Sequence, residues 1–519
     1  MSIKIPFAVL ACSLIALANS PASPEILTPP AGPTPQINGP RVFGVHPGSP
    51  ILFQIPVTGT RPIAYSAEGL PAEIKLDSKT GILTGTLTKP GVFRVTLHAT
   101  NAHGTVARDF KLVAGGEIAL TPPMGWNSWN CWGGAVSQEK VLSSARALVA
   151  SGLRDHGWRF INIDDGWQGV RGGANLAIQP NSKFPDMGQL GSELHAMGLG
   201  FGIYSSPWCG TYEGHIGSSC DNPDGTYGWI VSGDHNEFFR ISKDSAQLSD
   251  KRHSNYRFGA HSFIGADVTQ WAAWGVDYLK YDWNPNDVAH TREMADALRS
   301  SGRDIVYSLS NNTPFKEAAD ITPLAQLWRT TGDISDTWKS VSEIGFGQQD
   351  QWKPFQRPGH WNDPDMLVVG KVGWGKPHPS RLTPDEQYTH ISLWCLFSAP
   401  LLIGCDLAEL DDFTLGLLTN DEVLAVDQDS LGLFPTRIVN DGTRVVYAKP
   451  LEDGSVAVGL FNLGESPARV EVKLSELKFT GPVKARDLWR QKDEGNVKDL
   501  YSAEINPHGV KLVRLIPAG

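Results

Sequence analysis

The sequence predicts a multidomain chain with an N-terminal β-sandwich, a central (β/α)8 TIM barrel and a C-terminal antiparallel β-sandwich. Three observations carry this. From Ala119 to about Gly432, apolar strands alternate with helical stretches, the pattern of a parallel α/β architecture. Within that stretch three apolar runs end in carboxylates: Trp158 to Asp165, Trp274 to Asp282, and Ala325 to Asp333. On both sides the pattern changes to short alternating strands separated by turn residues.

In chain order, residues 1–18 read as an export signal: Lys4 is followed by an apolar run from Ile5 to Leu17, with Ala16-Leu17-Ala18 as a small-residue cleavage site. The run is too short to span a membrane, so the mature protein is expected outside the cytoplasm, periplasmic or secreted. Residues 19–40 are Pro-rich and polar and suit a disordered spacer. Residues 41–115 show short strands between turn signals such as Gly69-Leu70-Pro71, Thr80-Gly81 and Pro90-Gly91, which argues for a small β-sandwich.

Residues 118–432 form the expected barrel. Its first helix is expected over Gln138 to Leu153, with Ser137 as N-cap, and strands are expected near Phe160, Gly202, Tyr278, Val306 and Leu327. The long Ser205 to Gly265 stretch falls between the third and fourth strands and is expected to wall the mouth of the site. Residues 433–519 return to strands, with turns at Asp441-Gly442 and Asp453-Gly454, and predict a second antiparallel β-domain.

A net charge of −10 argues against nucleic acid or anionic membranes as the main partner. Most of the 17 Trp are expected in cores, with a few available to pack on sugar rings. Of six Cys, Cys12 leaves with the signal, Cys209 and Cys220 in one Gly/Ser-rich loop are the expected disulfide, and Cys395 and Cys405 read as buried thiols. No Cys/His spacing resembles a zinc site, and Lys280 and Arg329 would compete with a cation at the acidic cluster. No metal or cofactor is expected.

Polar residues at strand C-termini converge on one face of a (β/α)8 barrel. Several carboxylates gathered there suggest glycosidic-bond hydrolysis, which needs one carboxylate as nucleophile and another as proton donor. The motifs then resemble a family. Leu120-Thr-Pro-Pro-Met-Gly125-Trp126-Asn-Ser-Trp129, Asn162-Ile-Asp164-Asp165-Gly-Trp167, Gly202-Ile-Tyr204-Ser205 and Asp277-Tyr-Leu-Lys280-Tyr-Asp282 are similar to successive strands of glycoside hydrolase family 27. Trp328-Arg329-Thr-Thr-Gly-Asp333, Trp361-Asn-Asp363-Pro-Asp365 and Leu401-Leu-Ile-Gly-Cys-Asp406 continue the likeness in order. The 41–115 segment resembles the immunoglobulin-like modules of secreted bacterial enzymes, in Gly69-Leu-Pro followed by Leu-Asp77-x-x-Thr-Gly81-x-Leu-x-Gly85.

The family resemblance implies a retaining exo-α-glycosidase with Asp282 as nucleophile and Asp333 as acid/base. Asp164 and Asp165 are implied to receive the 4- and 6-hydroxyls, unless one of them caps a helix. Trp129, Tyr204, Lys280, Arg329 and Asp365 match substrate contacts, with orientation of Asp333 an equal reading for Arg329. Lys280, two residues before Asp282 on one strand face, is expected to keep the nucleophile ionised, and nearby negative charge to keep a proton on Asp333.

The pattern breaks after the fifth strand, where Ser310 and Asn311 stand in place of a Cys and the Glu that reads the 2-hydroxyl in α-galactosidases. Gly166 replaces the Cys that follows the acidic pair in many relatives, which leaves Cys131 without that partner. The expected substrate is an oligo- or polysaccharide or glycoconjugate with terminal α-galactosyl-like residues. α-Galactosidase leads, followed by α-N-acetylgalactosaminidase and β-L-arabinopyranosidase. A binding-only protein on the same scaffold is the other class, and it would need neither Asp282 nor Asp333.

Overall fold

A computed structural model describes residues 24–227 and 255–518. The export signal and residues 228–254 of the 205–265 insertion lie outside the described residues. The centre of the molecule is an eight-stranded parallel sheet. In chain order its strands are β1 (Met124–Asn127), β2 (Phe160–Asn162), β3 (Gly200–Ser205), β4 (Tyr278–Asp282), β5 (Val306–Ser310), β6 (Leu327–Arg329), β7 (Trp361–Asp363) and β8 (Leu401–Ile403). Sequential strands pair from β1 to β7, β8 pairs with β1, and a parallel bridge from Leu367 to Ile403 joins the chain after β7 to β8. That closure leaves no exposed sheet edge.

Alternation along each strand sorts the residues. Phe160, Tyr278, Val306, Leu327 and Trp361 form an apolar cluster at the N-terminal end of the barrel. Two residues further along the same strands come Asn162, Lys280, Ser308, Arg329 and Asp363, so the interior turns from apolar to ionic as the strands run to their C-termini. The register pairs Tyr204 with Lys280, Lys280 with Ser308, and Arg329 with Asp363. Gly202 is required by this crowding: a Cβ there would lie 1.9 Å from Asn162 Oδ1. The first helix covers Gln138–Ala150, and Ser137 caps it by accepting from Lys140 N at 3.4 Å. It stops short of Leu153 because Gly152 takes φ +86°.

The N-terminal domain is the expected sandwich. A four-stranded sheet holds Val42–Val45, Gly104–Ala114, Gly91–Asn101 and Ala64–Glu68, and a three-stranded sheet holds Pro50–Gln54, Ile82–Thr86 and Ile74–Leu76. Phe53, Tyr65, Leu97 and Phe110 are among the residues of its core. The C-terminal domain pairs a six-stranded antiparallel sheet with a two-stranded one around Val446, Leu460, Val472 and Val513.

Two expectations are corrected here. Residues 24–40 are not a disordered spacer over the described stretch. Leu27 N donates to Tyr388 Oη at 2.9 Å, Thr28 Oγ1 donates to Gly416 O at 2.7 Å, and Gln36–Ile37 pairs with Val57–Thr58. Prolines remove backbone donors but leave carbonyls and neighbouring amides to dock. Cys209 and Cys220 are not joined; both are buried free thiols, as are Cys131, Cys395 and Cys405. The Cys220 thiol instead donates to Thr226 O at 3.1 Å.

The sandwich sits on the N-terminal face of the barrel, the end away from the strand-end carboxylates. Asp304, just before β5, accepts from His46 N at 2.9 Å and Ser49 Oγ at 3.0 Å, and pairs with His46 Nδ1 at 2.8 Å. Arg159 lies over the Phe43 ring at 5.1 Å. The hydrogen bond to Asp304 raises the His46 imidazole, against the pull of burial. A raised folded value means the stabilisation is complete below the unfolded value near 6.5 and fades as pH climbs through the folded one. The His46→Gln variant is therefore expected to melt below wild type by more at about pH 5.5 than at about pH 8.5, read by differential scanning calorimetry; an equal deficit at both would remove the ion pair from the docking.

Candidate active site

The strand C-termini surround a cavity of about 230 Å³ lined by Trp129, Asp164, Asp165, Tyr204, Lys280, Asp282, Asn311, Arg329, Asp333 and Asp365. Ten of the eleven residues expected at the site are thus gathered in one place. Asn130, Tyr212, Met366 and Trp374 complete the lining and were not anticipated. Tyr212 carries no sequence signal, being one aromatic in a polar loop. Trp374 stands between two glycines, a pattern that marks an aromatic at a tight turn.

Ser310 is the exception. It ends β5 opposite Asp282 and lines a small cavity that adjoins the pocket and shares Lys280, Arg329, Asp365 and Met366 with it, beside Tyr278, Ser308 and Asp363. The alternation of β5 points Ser310 into the barrel with Ser308, whereas Asn311, one residue past the strand, turns out to the mouth.

Asp282 is 7% exposed, and its Oδ1 accepts no hydrogen bond from the described protein. Burial pushes its carboxyl up to about 7; Lys280 opposes this most, while Asp333 and Asp164 add to it. The expectation that Lys280 keeps Asp282 ionised is therefore met only in direction. Lys280 is shared, because its Nζ donates to Asp164 Oδ2 at 2.8 Å. Burial pulls the Lys280 ammonium down, but Asp164 and Asp282 outweigh it and hold the charge. Asp164 is further fixed by Asn127 Nδ2 at 2.8 Å and by Asp165 N, which donates to Oδ1 at 2.9 Å.

Asp165 accepts from Thr211 Oγ1 and Glu213 N, both at 2.9 Å, so neither acidic residue caps a helix. Burial raises the Asp165 carboxyl to about 8, with the Glu213 amide and Thr211 hydroxyl pulling the other way. These two bonds also show the described part of the 205–265 insertion walling the pocket. Tyr256 Oη donates to Tyr212 O at 3.0 Å, and behind that wall Trp208 stacks on Tyr256 while Tyr212 meets both rings edge to face.

On the opposite side Arg329, 5% exposed, bonds Asp365 Oδ2 at 2.7 Å and Asp333 Oδ1 at 3.2 Å. It also donates to Gly332 O at 2.8 Å. Arg329 thus lines the pocket and also bonds Asp333. The Asp333 side chain is 69% exposed, and the Arg329 guanidinium is its bonded neighbour. Gly332 and Asp333 project from the barrel rim, which the four-residue extension Thr330 to Asp333 past β6 allows. Asp365 takes φ +84°, a conformation fixed by Ile334 N and Met366 N donating to its two carboxyl oxygens at 2.8 Å.

A closed parallel barrel with a pocket of five carboxylates and two cations at its strand C-termini, four of the carboxylates buried and one at the rim, defines a glycoside hydrolase. The family described as "Alpha galactosidase A" matches residues 121–227 and 246–429, and "Alpha galactosidase C-terminal beta sandwich domain" matches residues 441–515. The family described as "Putative Ig domain" matches residues 34–115. The chain belongs to the α-galactosidase family, glycoside hydrolase family 27.

It is 36% identical over 416 residues to alpha-galactosidase 2 of Arabidopsis thaliana, covering 78% of this chain and 92% of that one. A Bacteroides fragilis structure named "putative alpha-galactosidase/melibiase" superposes with TM-score 0.79 at 33% identity, over 93% of this chain and 98% of the other. The β-L-arabinopyranosidase of Geobacillus stearothermophilus gives TM-score 0.63 at 29% identity, over 77% and 98%.

Lys280 is the largest influence holding Asp282 down, so its loss moves that carboxyl further up. In Lys280→Met the acid limb of the kcat/KM profile is expected at higher pH than in wild type, because more base is then needed to ionise Asp282. A pH series of initial rates checks this; an unmoved limb would mean that Lys280 does not act on Asp282.

Proposed function

We propose that this chain is an exo-acting, retaining α-galactosidase. The observation that carries this is the division of labour between Asp282 and Asp333. Asp282 is buried at the end of β4 with one carboxyl oxygen unengaged by the described protein, and Asp333 stands at the rim bonded to Arg329. A nucleophile must reach the anomeric carbon at the pocket floor. The acid must meet the leaving-group oxygen where the substrate emerges.

In the proposed cycle Asp282 attacks the anomeric carbon while Asp333 gives its proton to the departing oxygen. Water then cleaves the glycosyl ester, with Asp333 accepting the proton. Lys280, held charged by Asp164 and Asp282, and the acidic pair Asp164-Asp165 offer donors and acceptors to hydroxyls deep in the pocket. The pocket volume is below the roughly 300–1,000 Å³ of sites for drug-sized ligands, which suits one terminal sugar and hence exo action. The named activity of the Arabidopsis relative supports galactose as that sugar.

Hydrolysis of 4-nitrophenyl α-galactoside beside the corresponding N-acetylgalactosaminide, with Asp282→Asn as control, tests the reading. Wild type is expected to cleave the galactoside preferentially, and Asp282→Asn to lose turnover while still binding galactose. Retained turnover in Asp282→Asn would remove it as nucleophile. Asp333→Asn is expected to slow hydrolysis of a galactosyl disaccharide by about 10²–10⁴-fold, and to slow the 4-nitrophenyl galactoside less, because nitrophenolate departs with little proton assistance. Equal losses on the two substrates would exclude Asp333 as the acid.

A further inference from the structure

We infer that Trp374 is the platform of a subsite for the leaving-group sugar, stacking on a pyranosyl ring just outside the pocket; this rests on the galactosidase reading above. Trp374 takes φ +50°, a left-handed conformation that bulky L-residues rarely adopt. Such strain persists only where the surroundings enforce it, and it clusters at functional sites.

The enforcement is visible. Gly373 N and Trp374 N both donate to Asn130 O, at 2.7 and 2.9 Å, and Gly375 N donates to Cys131 O at 2.9 Å. Three successive amides thus clamp the loop onto the helical turn Trp129–Trp132, whose first residue lines the pocket. The turn ends in Gly133 at φ +49°, where a Cβ would lie 3.1 Å from the Trp374 carbonyl oxygen, so the close approach is built from both sides.

The clamp places the indole at a boundary. Val372 is fully buried, Trp374 is half-buried, and Gly375 and Lys376 are exposed, while Trp374 itself lines the pocket with Asp282 and Asp333. It therefore stands at the rim, as Asp333 does. Most described tryptophans are spent otherwise: ten of them are fully buried in cores. The pocket floor is ionic and matches a ring bristling with hydroxyls. A rim aromatic instead offers a flat apolar face, which fits the C–H face of a second pyranose held beyond the cleaved bond. Positioning that ring would bring the glycosidic oxygen to Asp333.

The test compares kcat/KM for an α-galactosyl disaccharide with that for α-galactosyl fluoride, which has no leaving-group sugar. The proteins are wild type, Trp374→Gly, which suits the positive φ, and Trp374→Tyr, which keeps an aromatic face. The disaccharide-to-fluoride ratio is expected to fall at least about tenfold in Trp374→Gly, a loss of one stacking contact, and to recover most of the way in Trp374→Tyr. Equal losses on both substrates would assign Trp374 to loop structure or to the first sugar, and an unchanged ratio would remove it from substrate contact; either overturns the subsite. Failure of wild type on both substrates would instead overturn the galactosidase reading, so the two failures are distinct.

Discussion

Five carboxylates cannot crowd into one low-dielectric pocket unless cations stand between them, and here two do. Lys280 is set between Asp164 and Asp282, and Arg329 between Asp333 and Asp365. Both are products of strand register. Lys280 follows Tyr278 by two residues on β4, and Arg329 follows Leu327 by two on β6, so each leaves the apolar end of the barrel and arrives at its mouth. Shifting either strand by one residue would send the cation outward and leave buried carboxylates uncompensated.

The same arrangement differentiates chemically identical side chains. Asp282 feels burial most and is lifted towards neutrality, whereas Asp333 at the rim is solvated and bonded to Arg329. Asp165, inside but bonded to the insertion through Thr211 and Glu213, ties the wall of the pocket to its floor. The N-terminal sandwich stays away from this mouth: it docks through His46 and Asp304 at the opposite end of the strands. That placement fits a supporting role for the module.

Much of this was legible in the sequence because a barrel converts linear pattern into position. A carboxylate at the end of an apolar run becomes a carboxylate at the mouth, which is why Asp164, Asp282 and Asp333 were found without any knowledge of contacts. What escaped were features decided by long-range contact. Ser310 and Asn311 are neighbours in sequence, yet the end of β5 falls between them and sends one to the adjoining cavity and the other into the pocket. Cys209 and Cys220 share a loop, but the Cys220 thiol turns to the Thr226 carbonyl. Residues 24–40 read as a spacer because prolines weaken local structure, although docking groups on the barrel, such as Tyr388, order them. Tyr212 and Trp374 reach the site on loops whose paths follow from hydrogen bonds to distant backbone.

The central claim is that Asp282 forms a covalent glycosyl intermediate, and the stereochemistry of the product tests it most directly. Proton NMR can follow the anomer released first from 4-nitrophenyl α-galactoside, before mutarotation mixes the two forms. α-Galactose appearing first is the expected result, since two inversions restore the configuration. β-Galactose appearing first would mean a single displacement by water and would contradict Asp282 as the nucleophile.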